Sequence, residues 1–348
     1  MVGYDLDGTA YIADEYGDSE GLGYGLIAME KSTDGVTWSY PTVVLSLGYS
    51  EVLWASMTVD TNTSSPYADT IYISAIRLNE PAQSQNQLVV THSADGGNTW
   101  QTTNVASPQT SPDVDRYTSL TTGGDGTVYL TWMYCNSGPY FCENHKAYML
   151  FAKSKDGGNS WSNPALVAAI NLGNEGPPNT KVGADNYPAV GVDNSNGPNR
   201  GNLYVAMYNW TGVFMQVQVV RSTDGGNTWS KPIPVAPASD THDQFFPWIS
   251  VSPAGLVGVS WLDRRNDPNN VDYQAFAAIS SDGGKSFQPN VPLTKKFSNP
   301  NNNGSPDNRW MGDYAGNAWD GPDYFIAAWM DSSNGVDMQE EVGGVRLK

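Results

Sequence analysis

The chain has 348 residues and a formal charge of −18 at neutral pH, from 36 acidic and 18 basic side chains, and its pI is near 4.3. So acidic a surface excludes general nucleic-acid binding, which needs basic side chains to displace phosphate counterions; it fits an extracellular or cell-surface protein. No apolar run approaches the roughly 18–20 residues that span a bilayer, which argues against membrane insertion, and no leader-like segment is read at the start, as expected of a mature or trimmed chain.

With 36 Gly and 22 Pro, and no long stretch of helical period, the composition predicts all-β structure with many turns. In chain order, each of five apolar strands is followed by a Ser-x-Asp-Gly phrase. Thr9–Tyr16 precedes STDGVTW (Ser32–Trp38), Thr70–Arg77 precedes SADGGNTW (Ser93–Trp100), and Thr127–Tyr134 precedes SKDGGNSW (Ser154–Trp161). Asn202–Asn209 precedes STDGGNTW (Ser222–Trp229), and Val257–Arg265 precedes SSDGGKSF (Ser280–Phe287). A sixth strand, Tyr324–Asp331, has no phrase after it.

The phrase aspartates Asp34, Asp95, Asp156, Asp224 and Asp282 recur about every 60 residues, the length of a four-stranded propeller blade with generous loops. The pattern predicts a six-bladed β-propeller of four-stranded antiparallel blades as a single domain over 1–348. The approximate blades are 1–50, 51–110, 111–172, 173–237, 238–298 and 299–348. The first and last are incomplete: MVGYD matches only the end of an inner strand, and the sixth blade lacks its outermost strand.

Within the phrase, Asp-Gly-Gly supplies a turn at positive φ, the Asp and Ser/Thr oxygens accept backbone N–H groups, and the closing aromatic packs on re-entry to the sheet. None of these jobs is catalytic. Successive antiparallel strands alternate direction, so the turns lie at one end of every blade. A ligand site built on inner-strand starts lies at the other.

Cys135 and Cys142, in the loop CNSGPYFC, are placed for a local disulfide and hence an oxidising compartment; two free thiols are the alternative, and two cysteines are too few for a zinc site. Asn62, Asn209 and Asn303 sit in glycosylation sequons, which also arise by chance.

The S-x-D-x-G-x-T/S-W phrase resembles the Asp box, or BNR repeat, of the sialidase (neuraminidase) superfamily. The resemblance implies a propeller. For a sialidase it further implies three arginines on a substrate carboxylate, a Tyr nucleophile supported by Glu, and an Asp acid/base. Asp boxes also occur in other glycosidases, lyases, sorting receptors and assembly factors. The F/Y-R-I-P motif is absent, and DQFFPW (Asp243–Trp248) lacks the arginine a sialidase pattern favours, so the triad does not transfer residue by residue.

The residues themselves still mark one end of the blades. Five of eight arginines, Arg77, Arg116, Arg264, Arg265 and Arg309, fall at connections predicted there, suited to a carboxylate, sulfate or uronate. The plainer reading pairs each with a neighbouring acid, such as Asp115 with Arg116 or Asp263 with Arg264. Tyr117, Tyr187, Phe245 and Trp310 at inner-strand starts offer stacking surfaces for sugars, or ordinary packing. Asp313 and Tyr314, beside Arg309, are candidate catalytic groups, as are Asp14 and Glu15, with surface solvation the alternative for the last two. Glu80 lies just beyond Arg77. His145 and His242 are candidate bases, while His92 faces away.

No cofactor is required by this chemistry. Oxygen-rich loops at Asp263–Tyr273 and Asp193–Gly197 carry ligands for calcium, without EF-hand spacing, or simply form turns.

Two functions remain open. One is a secreted, sialidase-like exo-glycosidase acting on an acidic or terminal sugar of a glycan, with a polysaccharide lyase as a variant. The other is a noncatalytic glycan- or protein-binding propeller attached to a larger extracellular protein or assembly.

Overall fold

The computed structural model describes residues 1–16, 25–46, 50–79, 85–138, 142–173, 176–287, 289–304, 311–312 and 315–347, the side chains of Ser50 and Asn79 excepted. Among these residues there is no helix. Contacts group the chain into two compact units: Met1–Asn144 with Tyr148–Leu166, and His145–Ala147 with Val167–Lys348.

In the first unit, β1 (Val2–Tyr4), β2 (Ala10–Tyr16), β3 (Leu26–Ser32) and β4 (Thr42–Ser46) form one antiparallel sheet in chain order. The next holds β5 (Ser50–Val59), β6 (Ile71–Asn79), β7 (Gln85–Ser93) and β8 (Gln101–Asn104), and a short β9 (Gln109–Thr110) adds to β7. The third begins with β10 (Val114–Thr122), β11 (Val128–Cys135) and β12 (Lys146–Ser154); β13 (Ala165–Asn171) carries the chain into the second unit.

There, β14 (Ala189–Val192), β15 (Leu203–Trp210), β16 (Met215–Ser222) and β17 (Ile233–Pro234) form the fourth blade. Then β18 (Gln244–Val251), β19 (Val257–Asp263), β20 (Gln274–Ser280) and β21 (Asn290–Pro292) form the fifth, and β22 (Gly316–Asp320), β23 (Tyr324–Asp331) and β24 (Gln339–Arg346) a three-stranded sixth. These are the six antiparallel blades of a six-bladed β-propeller, the last with three strands among the described residues.

The second strand of the third blade, β11 (VYLTWMYC), is buried along nearly its whole length. In the first unit Tyr11, Ala13, Ile27 and Met29 of the first blade pack on Val52, Ile71, Ile73, Ala75 and Val89 of the second. A second cluster, from Tyr204 and Val217 through Trp261 and Phe276 to Phe325 and Trp329, fills the other unit.

The Asp-Gly-Gly turns repeat one hydrogen-bond pattern. Ser93 Oγ donates to Asp95 Oδ1 at 2.8 Å and accepts from Gly97 N–H at 2.9 Å; Asp95 also accepts from the amides of Asn98 and Thr99 and the Thr99 hydroxyl. The same bonds recur around Asp224 and Asp282. Gly96 and Gly97 have φ of 66° and 83°, and a Cβ on Gly97 would lie 2.2 Å from Met29 Cε of the preceding blade. Close approach lets a cation of one blade clasp the next: Lys31 Nζ donates to Gly96 O at 2.9 Å, and Arg221 Nη1 to Gly283 O at 3.1 Å.

Hydrogen bonds from the Thr99 and Thr228 hydroxyls and amides hold the Asp95 and Asp224 carboxyls down at about 2. A depressed folded value stabilises the fold above the unfolded value of about 4 and is lost as pH falls through about 2. The Asp95→Asn, Asp224→Asn double variant should therefore melt at lower temperature at pH 6 and show a shallower loss of stability between about pH 4 and 2. Acid unfolding followed by circular dichroism checks this; an unchanged acid slope would reject it.

Candidate functional site

At the end opposite the Asp-Gly-Gly turn, three inner strands break their ladders. In β10–β11–β12, Thr122, Val128 and Ser154 align at the turn end, while Asp115, Tyr134 and Tyr148 align at the other. Bulges interrupt β5 between Leu53 and Ser56, β10 between Arg116 and Ser119, and β18 between Phe245 and Trp248. Each places an aromatic residue at positive φ: Trp54 at 55°, Tyr117 at 52°, Phe246 at 49°. Bulky side chains avoid this region, at a cost of about 1–3 kcal/mol each, and such outliers concentrate at functional sites.

In the first unit the two bulges are stitched together, Thr118 Oγ1 donating to Trp54 O at 2.8 Å and Ser74 Oγ to Thr118 Oγ1 at 2.7 Å. The Arg116 guanidinium carbon stands 4.5 Å from the Trp54 ring centre and 4.7 Å from that of Tyr117, and the two rings meet edge-on at 5.3 Å. Arg116 and Tyr117 are only 7% and 4% exposed. They form a cation–π wall rather than an open anion clamp and a stacking surface.

Glu15 Oε1 accepts the N–H of Ala55, the residue after the Trp54 bulge, at 2.6 Å. Glu15 extends the row Tyr11–Ala13 along β2, and Arg77 extends the row Ile73–Ala75 along β6. Both rows share one apolar cluster, so the two half-buried polar residues continue it toward the same end. Burial pushes the Arg77 guanidinium below its ordinary value, and among the described residues it has no acidic partner. Asp14 alternates to the other face of β2 and is 58% exposed, the position of a solvated surface acid.

Asp115, a strand neighbour of Arg116, points to the opposite face. Its Oδ1 accepts the Trp132 indole N–H at 2.8 Å, its Oδ2 is buried without a partner, and burial pushes the carboxyl up to about 7. Tyr134, cross-strand from it, is pushed up to about 12 by burial and by Asp113. The sequence marks Asp115 only as part of DRY; its closed, apolar setting depends on Trp132.

In the second unit Arg264 is fully buried. Its Nη1 donates to Pro178 O at 2.7 Å and Asn270 O at 3.0 Å and lies 3.4 Å from Asp243 Oδ2. Arg265 Nη2 pairs with Asp263 at 2.5 Å, its Nε lies 3.1 Å from Asp240, and Nη1 donates to Asn290 at 3.1 Å. Phe245 is fully buried between Phe246 and Tyr273, and Tyr187 is buried 6.3 Å from Trp248. These groups brace the blades. Phe245 and Tyr187 offer no face to a sugar, because both rings are buried in the core.

Arg309, Trp310, Asp313, Tyr314 and Glu80 lie outside the described residues. In the oxygen-rich loops, Asp193 caps the Ser195 amide, and Asp267 those of Asn269, Val271 and Asp272, so these carboxylates serve their own turns. Among the described residues no group of three or more His, Cys, Asp or Glu is arranged to hold a metal. Cys135 and Cys142 form a disulfide.

Removing Arg264 would leave the Asp243 carboxylate buried and unneutralised. Arg264→Ala should cost about 3–5 kcal/mol in urea unfolding, whereas a free ligand-binding arginine would cost far less. Asp115 carries a second prediction. A folded value raised above the unfolded one favours the fold below about pH 4, and that contribution is lost as pH rises through about 7. The stability of Asp115→Asn relative to the native chain should therefore improve between pH 4.5 and 7.5; an unchanged gap would show that the carboxyl is not held protonated.

No protein-family model matches the chain, and no curated protein does. Solved structures do. A Hadza microbial sialidase superposes with a TM-score of 0.59 at 16% identity, over 99% of this chain and 65% of its own. The NanB sialidase of Streptococcus pneumoniae, in complex with 2-[(3-chlorobenzyl)ammonio]ethanesulfonate, gives 0.58 at 11%, over 100% and 68%. The Penicillium chrysogenum alpha-L-arabinanase complexed with arabinobiose gives 0.59 at 13%, over 99% and 92%. The chain thus has the six-bladed β-propeller fold found in sialidases and arabinanases.

Proposed function

We propose that this chain is an extracellular glycoside hydrolase acting on a terminal sugar of a glycan, with Glu15 as a catalytic carboxylate and Arg77 as a substrate-binding residue. The observation that carries the reading is the Glu15–Ala55 hydrogen bond, which fixes a half-buried carboxylate against the strained Trp54 bulge, where Arg77 continues the facing row with no acidic partner among the described residues. Glycosidases need a positioned carboxylate at the anomeric centre and a second group to protonate or attack. Sequence alone nominates Asp313 and Tyr314 for the second role. The disulfide agrees with an oxidising, extracellular setting.

The sugar is neutral rather than acidic in this reading. Arg116 is stacked between two rings, and Arg264 and Arg265 are held by Asp243, Asp263 and Asp240, so a three-arginine carboxylate clamp is not supported by them. Their engagement also favours a second reading, a noncatalytic glycan-binding propeller in a larger extracellular assembly.

A panel of fluorogenic arabinofuranosides, neutral hexosides, uronides and sialosides separates these. Turnover of a neutral glycoside is expected. Glu15→Gln should lower kcat by about 100-fold or more, and Arg77→Ala should mainly raise KM. Glycan binding without turnover on any member would establish the noncatalytic reading, and a fully active Glu15→Gln protein would remove Glu15 from the mechanism.

A further inference from the structure

The connection into β18 holds a histidine that the glycosidase reading leaves unused. His242 Nδ1 lies 3.2 Å from Asp240 Oδ1, and the histidine side chain is 33% exposed while that of Asp240 is 6% exposed. The other Asp240 oxygen is fixed from behind: Gln244 Nε2 donates to it at 3.2 Å, and Arg265 Nε stands 3.1 Å away. Gln244 is itself locked, its Oε1 accepting the Val217 amide of β16 at 3.0 Å. Arg265 is locked by Asp263 and Asn290, with its guanidinium carbon 4.4 Å from the Phe276 ring centre. Asp243, the next residue, is neutralised separately by Arg264. Gln244 pairs with Asp263, and Val257 with Ser280, so the histidine stands at the end of the blade away from the Asp-Gly-Gly turn.

We propose that His242 and Asp240 form a proton-transfer dyad acting on a hydroxyl-bearing ligand at this end of the second unit, with Arg265 as its positioning residue. That the hydroxyl belongs to a sugar rests on the functional reading above. Asp240 accepts the Nδ1 proton and so selects the tautomer whose Nε2 lone pair is open. Nε2 takes the proton of the ligand O–H, the oxygen keeps the bonding electron pair, and the ring becomes an imidazolium facing the Asp240 carboxylate. Return of the proton to that oxygen, or to a leaving oxygen that departs with its C–O electron pair as the first oxygen bonds to the same carbon, restores the neutral ring. Arg265 neither donates nor accepts in this step. It keeps Asp240 aimed, because its own guanidinium is fixed by Asp263 and Asn290 while its Nε stands 3.1 Å from the Asp240 carboxylate.

An Asx turn with no chemical role would show the same short distances, since Asp240 also caps the His242 amide at 3.1 Å. The test therefore reads both tautomer and turnover. Long-range ¹H–¹⁵N spectra, assigned with His242→Gln, should show neutral His242 protonated on Nδ1, and Asp240→Asn should shift it to the Nε2–H form. An Nε2–H ring in the native protein overturns the dyad. On a glycoside that is turned over, His242→Gln should lose about 100-fold or more in kcat with little change in KM, and free imidazole should restore part of the activity of His242→Ala. Full activity of both folded variants overturns the role. If no glycoside is turned over, the hydrolase reading fails by itself. The dyad is then decided by arabinobiose, lactose and sialyllactose: displacement of the His242 ¹⁵N resonances by any of them supports it, and indifference to all three overturns it.

Discussion

The carboxylate of each Asp-Gly-Gly turn is the constraint on which the rest of the structure depends. Because Asp95, Asp224 and Asp282 satisfy the amides and hydroxyls of their own turns, the turn closes without help from its neighbours. Its glycine carbonyls are then free to accept from outside. Lys31 reaches Gly96 O and Arg221 reaches Gly283 O, each from the preceding blade. The paired glycines serve both needs, since positive φ makes the turn and a missing side chain lets the blades close to contact. A motif that resembles a functional signature is a clasp.

The opposite end solves a different problem. Bulges there set Trp54, Tyr117 and Phe246 at positive φ, a backbone cost that packing must offset. In a chain of net charge −18, an arginine drawn into this layer finds acids readily, and a buried guanidinium without one is costly. Arg264 and Arg265 accordingly sit among Asp243, Asp240 and Asp263. Arg116 lies against the faces of Trp54 and Tyr117. Arg77 departs from this pattern: among the described residues it has no acidic partner.

Much of the architecture was legible because it is periodic. The Ser-x-Asp-Gly phrase and the apolar strand before it index the blades, and antiparallel alternation then assigns turns and inner-strand starts to opposite ends without coordinates. Partner choice was not legible, because it depends on which face of a strand a side chain takes. Asp115 and Arg116 are adjacent in sequence and look like an ion pair, yet alternation sends them to opposite sides, one to Trp132 and the other to Trp54. Asp263 and Arg264 mislead in the same way: Asp263 pairs with Arg265, and Arg264 pairs with Asp243 across the bulged strand. Aromatic residues at inner-strand starts were visible as a pattern, but whether they face a ligand or the core is decided by burial, and burial took Tyr117, Tyr187 and Phe245 into the core.

The two ends are mechanically linked within the first unit. The first and second blades are joined at the turn end by Lys31 on Gly96 O and at the far end by Glu15 on the Ala55 amide, with the cluster from Tyr11 to Ile73 between them. A carboxylate whose position is set by a bond to the next blade keeps its geometry only while the spacing of the two blades is fixed, and the side chains packed between them are too dense to absorb a change at one end alone. The conformation of Glu15 is thus a property of the blade pair rather than of its own strand. The repeated turns, chemically inert themselves, are the clasps that hold that spacing.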